Sequence, residues 1–110
     1  MMDRVYKDID GIPHVAVLYS PGYGAGWSTW NKEYKRQLLF DPVIVNMLED
    51  NRPRYEIVSY VEKTYGDDVS TGGLDQLEIR WIPEGTLFNI KEYDGSEIIL
   101  LITDIDFEVT

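Results

Sequence analysis

Gly22, Gly24 and Gly26 stand at every second position of Ser20-Pro21-Gly22-Tyr23-Gly24-Ala25-Gly26-Trp27-Ser28-Thr29-Trp30, framed by three aromatics and closed by two hydroxyls. Glycine is placed where backbone turns tightly or comes close to something else. Aromatics beside such backbone suit a flat ligand whose anionic part takes N–H groups. The spacing is G-x-G-x-G, not the G-x-G-x-x-G of a dinucleotide fingerprint, and no βαβ unit surrounds it. It also lacks the Lys-Ser/Thr of a P-loop. What is left is a set of parts that can hold phosphate: the N–H groups around Gly24, Ala25 and Gly26, the hydroxyls of Ser28 and Thr29, and the nearby cations Lys32, Lys35 and Arg36. Tyr23, Trp27 and Trp30 would then wall or stack on the ligand. The competing reading is structural: a tight turn in which Trp27 and Trp30 plug the end of the core.

Further polar groups at predicted strand ends, Glu84, Thr86 and Tyr93, are candidates to line the same site, with Arg80 as another anion ligand. His14 is the single histidine and has no Ser, Cys or carboxylate at motif spacing, so it reads as a structural histidine rather than a general base. The acids of the last third alternate along strands and match neither an EF-hand nor a carboxylate cluster, so no metal site and no cofactor are expected. These residues point to binding rather than catalysis. A small nucleotide-acting enzyme would have to rest on His14 or on carboxylates in no recognisable arrangement.

Net charge is −10, from 20 acids and 10 bases, which argues against general affinity for nucleic acid or an anionic membrane. From Lys91 to Thr110 there are six acids against one base, whereas Asn31 to Gln37 holds Lys32, Lys35 and Arg36 against Glu33 alone. One basic island therefore follows the glycine and tryptophan stretch in an acidic chain. The absence of Cys removes disulfides and thiolate chemistry and fits a reducing compartment. No signal-peptide pattern is visible at Met1 to Asp8, and the longest apolar run, Ile98 to Ile102, is far short of a membrane span. The expectation is a cytoplasmic protein.

The elements that must position these residues follow from pattern. With 110 residues the chain reads as one domain, 1–110, with no internal repeat and no linker. Residues 1–13 read as polar and irregular. His14 to Tyr19 is a buried strand bounded by prolines, and it leads directly into the glycine loop. Residues 31–40 stay open between a helical turn, a loop and a strand-like Leu38-Leu39-Phe40. Asp41-Pro42 caps a helix carrying Val43, Ile44, Met47 and Leu48, and Pro53 opens a second that ends at Gly66. The last third reads as a meander: Leu77 to Ile82, Thr86 to Tyr93, the Asp94-Gly95 turn, Ser96 to Thr103, and a short strand Ile105 to Val109. The expected class is α+β, a mostly antiparallel sheet packed with two short helices.

Ser20 to Asn31 (SPGYGAGWSTWN), Phe40-Asp41-Pro42, Thr71-Gly72-Gly73 and Trp81 to Gly95 (WIPEGTLFNIKEYDG) resemble a family of small phage and prophage proteins, mostly without assigned function. The resemblance implies a phage-encoded cytoplasmic protein and carries over no catalytic residues. Small phage accessory proteins often counter host defence, some by sequestering cyclic nucleotide or cyclic ADP-ribose signals and some by occupying CRISPR effectors. Two functions follow as expectations. The first is a non-enzymatic protein that captures a small anionic nucleotide-derived ligand. The second is an acidic protein-interaction module that blocks a basic channel as a DNA mimic, using Glu92, Asp94, Asp104 and Asp106. Oligomeric state stays open, since a site of this kind is often completed across a two-fold interface.

Overall fold

The computed structural model describes residues 4–102. The expected strand Ile105 to Val109 lies outside them. Five strands form two antiparallel sheets, with three α-helices between the second and third strands. The α+β class is as the pattern predicts; the sheet arrangement and the number of helices differ from it.

β1 (Tyr6–Ile9) and β2 (Ile12–Tyr19) form a hairpin through Asp10 and Gly11, both at positive φ (52° and 79°). Residues 6–9 are thus a strand where an irregular segment was expected. The signal was an Asp-Gly pair of the same kind as Asp94-Gly95, which also has φ of 51° and 84° and closes the second hairpin. Polar composition alone hid the first one.

β3 (Glu78–Pro83) pairs with β2 over six positions, from His14↔Pro83 to Tyr19↔Glu78. It does not pair with β4 (Phe88–Tyr93), which forms a separate two-stranded sheet with β5 (Ser96–Leu101). The expected meander is therefore broken after β3. The physical reason lies in β2, where Val15, Ala16, Val17 and Leu18 are all buried. A strand apolar on both faces must be central and covered on both sides, so it takes β1 and β3 as neighbours and leaves the second hairpin to form a layer of its own.

The two faces of β2 lead into two cores. Ala16 and Leu18 pack with residues of α2 (Pro42–Glu49) and α3 (Arg54–Tyr65), including Ile44, Ile57 and Val61. Val17 packs with Ile82 of β3 and with Ile99 and Leu101 of β5. The segment left open by the sequence, 31–40, resolves into a short helix, α1 (Lys35–Phe40), preceded by 3₁₀ turns. Its consecutive leucines divide between the layers, Leu38 into the first core and Leu39 into the second.

Asp41 begins α2 as expected, its Oδ1 accepting from the N–H groups of Val43 (2.9 Å) and Ile44 (3.2 Å). It also does more than cap. The hydroxyls of Tyr60 and Tyr65 on α3 donate to the same buried carboxylate at 2.8 and 2.7 Å, so one side chain starts one helix and anchors the next. Gly66, with φ of 72°, ends α3 where a left-handed residue is needed.

Candidate functional site

The glycine loop does hold an anion, and the anion belongs to the chain. Glu97 on β5 is 1% exposed. Its Oε1 accepts from the Ser20 N–H at 2.9 Å, and its Oε2 accepts from the N–H groups of Trp27 (2.7 Å) and Thr29 (3.1 Å) and from the Thr29 hydroxyl (2.5 Å). The Glu97 N–H in turn donates to the Ser20 carbonyl at 2.8 Å. With no cation among these partners, the carboxylate is held by backbone dipoles in the manner of a bound ion.

Glycine is required on both sides of this contact. A Cβ on Gly95 would fall on the backbone of Gly24 and Ala25, and one on Gly73 would meet the Gly26 carbonyl oxygen at 2.7 Å. The Gly24 N–H donates to the Asp94 carbonyl at 3.0 Å. The close approach that the sequence assigned to a ligand is an approach of the chain to itself.

The expected site residues separate accordingly. Trp27 is fully buried, with its indole N–H on the Leu38 carbonyl at 2.9 Å, so it is core and offers no stacking face. Ser28 and Gly26 are buried, Ala25 is half-buried, and both donors of Thr29 are committed to Glu97. Gly24 is exposed with its N–H on Asp94. Tyr23 and Trp30 face outward, 76% and 47% exposed. Lys32 is exposed on the 3₁₀ turn before α1, Glu84 is exposed at the turn after β3, and Arg80 donates to the Ile99 carbonyl at 2.9 Å. Arg36 and Thr86 come together elsewhere.

They line a cavity of about 360 Å³ between the two sheets, closed on one side by α1. Its floor is Val15 and Val17 of β2 with Ile82 of β3, and Leu39 of α1 and Phe88 and Ile90 of β4 form its walls. Three cations line it, Arg4, Lys35 and Arg36, and among the described residues no acid does. In a chain with twice as many acids as bases, that segregation is the feature that marks the cavity. Arg4 is set in place because the neighbouring Val5 carbonyl accepts from the Ala16 N–H at 3.0 Å. Its guanidinium lies 4.1 Å from the centroid of Phe40, which meets Phe88 edge to face (6.3 Å, 83°). Lys35 and Arg36 enter from the first turn of α1.

Phe40, Leu87, Phe88 and Asn89 carry the sequence signals of ordinary strand and core, and Arg4 those of a polar, irregular terminus, so none of them stands out as a site residue in the sequence. Only the meeting of two layers makes them neighbours. Glu97 had a legible signal: alternation along Ser96 to Leu101 places it on the same face as Ile99 and Leu101, which is the buried one.

His14 Nδ1 lies 2.8 Å from the Ile12 carbonyl, a structural contact within its own strand. Among the described residues no group of His, Asp or Glu is arranged to hold a metal ion, and no helix is long and apolar enough to cross a membrane. Of the acids proposed for DNA mimicry, Glu92 and Asp94 are exposed and Asp104 and Asp106 lie outside the described residues. Glu97, counted in the same acidic stretch, is spent internally. No family model matches the chain, nor does any curated protein or solved structure.

Proposed function

We propose that the chain is a non-enzymatic binding protein for a small anionic ligand, with the cavity between the sheets as its site and nucleotide-derived molecules as the first class to test. One observation carries this reading: three cations and no acid, among the described residues, around a cavity whose floor is Val15, Val17 and Ile82, in a chain of charge −10. Apolar walls with a few convergent polar groups are what small-molecule sites generally present. The glycine loop supports the site rather than forming it, since its clasp on Glu97 fixes the β4–β5 hairpin that makes one wall. In the phage setting that the resemblance implies, such a protein acts by sequestering a host signal.

The test is a thermal-shift and calorimetric panel of mononucleotides, cyclic dinucleotides and ADP-ribose derivatives against the wild type and Lys35→Glu/Arg36→Glu. At least one member should raise Tm, and the double variant should weaken it by at least about tenfold. A panel with no binder removes nucleotides as the ligand class, and a binder indifferent to the double substitution removes the cavity as its site.

A further inference from the structure

The cavity's chemistry is lopsided in a way that selects among anionic ligands. We infer that the ligand it takes is an amphiphile, with one carboxylate or phosphate head on an acyl or aryl body poor in hydrogen-bond donors. This rests on the cavity being the binding site and goes beyond it by choosing the ligand class.

The head is placed by the cations. Arg36 and Phe40 are four residues apart on α1 and so lie on one face of it. Arg4 sits on the Phe40 ring. Arg4 thus lies against a ring carried one turn beyond Arg36 on the same helix, and the other two lining cations, Lys35 and Arg36, both come from the first turn of α1, so the positive charge is drawn to the α1 side of the cavity. Guanidinium forks match carboxylate and phosphate oxygens in pairs.

The body is placed by what lies below. Val15, Val17, Leu39, Ile82 and Ile90 offer no hydrogen-bonding side chain at all. Among the described residues the neutral polar side chains of the lining are Thr86 and Asn89, and the Asn89 side-chain Oδ1 already accepts from the Ile90 N–H at 2.9 Å. The side-chain inventory is thus rich in donors and nearly empty of acceptors. A nucleoside would bring an exocyclic amine or ring N–H and ribose hydroxyls against walls with almost no side chain to receive them, and each such donor left unpaired counts against binding. An alkyl chain or a plain aromatic ring carries none. The volume agrees, since about 360 Å³ lies near the small end of the range for ligand pockets, roughly 300–1,000 Å³.

Calorimetry with decanoate, decyl phosphate, 1-decanol, AMP and inorganic phosphate separates the possibilities, with every amphiphile held below its micelle concentration. Decanoate or decyl phosphate should bind at least about tenfold more tightly than AMP, 1-decanol and inorganic phosphate. Arg36→Glu, at an exposed position and with its Tm compared with the wild type, should weaken the charged amphiphiles by at least about tenfold and leave 1-decanol unchanged. A smaller preference over AMP overturns the amphiphile inference while the site stands. Equal binding of 1-decanol overturns the role given to the head. Binding by none of the five overturns the inference together with the site itself.

Discussion

Glu97 and Trp27 show how a residue's surroundings reassign its chemistry. A tryptophan among glycines is equally a stacking platform or a plug, and composition does not decide between them. The deciding facts are that the Trp27 indole N–H finds the Leu38 carbonyl and that its own backbone N–H finds Glu97, neither of which is local in sequence. The glycines were legible as a close-approach device, but their partner was not, because it lies some 70 residues away. Replacing Glu97 by Gln keeps the shape and puts an NH₂ group against N–H donors. The loss of charge-assisted bonds at a site 1% exposed should lower stability by about 3 kcal/mol. Glu92→Gln, on the exposed side of the same hairpin, should change it by less than about 1 kcal/mol. Urea denaturation of the two variants checks the contrast.

Helices and turns were the most legible level, for their signals are local. Asp41-Pro42, Pro53 with Gly66, and Asp94-Gly95 each mark a boundary that the structure contains. Pairing between strands was less legible, because β3 had two possible neighbours and only the burial of both faces of β2 chooses between them. The link between α2 and α3 makes a test. Asp41→Ala removes a cap and the acceptor of two tyrosine hydroxyls, so it should cost at least about 3 kcal/mol. The same link predicts alkaline sensitivity. Burial, followed by hydrogen bonding to Asp41, pushes the Tyr60 phenol up to about 12, and the same causes raise that of Tyr65. A phenol whose pKa is higher folded than unfolded contributes fully below the unfolded value near 10 and loses that contribution as pH rises towards 12. The urea midpoint should therefore fall between pH 10 and 12, and Tyr60→Phe/Tyr65→Phe should flatten that fall while lowering stability at neutral pH. Gly95→Ala is expected to be severe for another reason, since its Cβ would strike the Gly24-Ala25 backbone from a φ of 84°.

At the scale of the whole molecule, the basic island was legible as an anomaly of charge, and its destination was not. Lys35 and Arg36 follow the glycine loop in sequence, yet they share their space with Arg4, which precedes the first strand, and with Phe88 of the fourth. That assembly is three-dimensional and leaves no periodic trace. If the cations act together, raising salt from about 0.05 to 0.5 M should weaken a charged ligand severalfold and hardly touch a neutral one, because screening acts on the former alone. Titration at the two ionic strengths reads it directly.

The clasp between the glycine loop and Glu97 also orders events in time. Its hydrogen bonds join residues 68 to 77 positions apart, whereas the helices and both hairpin turns are local. Local structure forms early and such distant closures late, so the β4–β5 layer docks near the end of folding. The cavity between the layers exists only after that docking. A ligand bound there is in effect a probe of the last step: in stopped-flow experiments it should slow unfolding and leave the refolding rate unchanged.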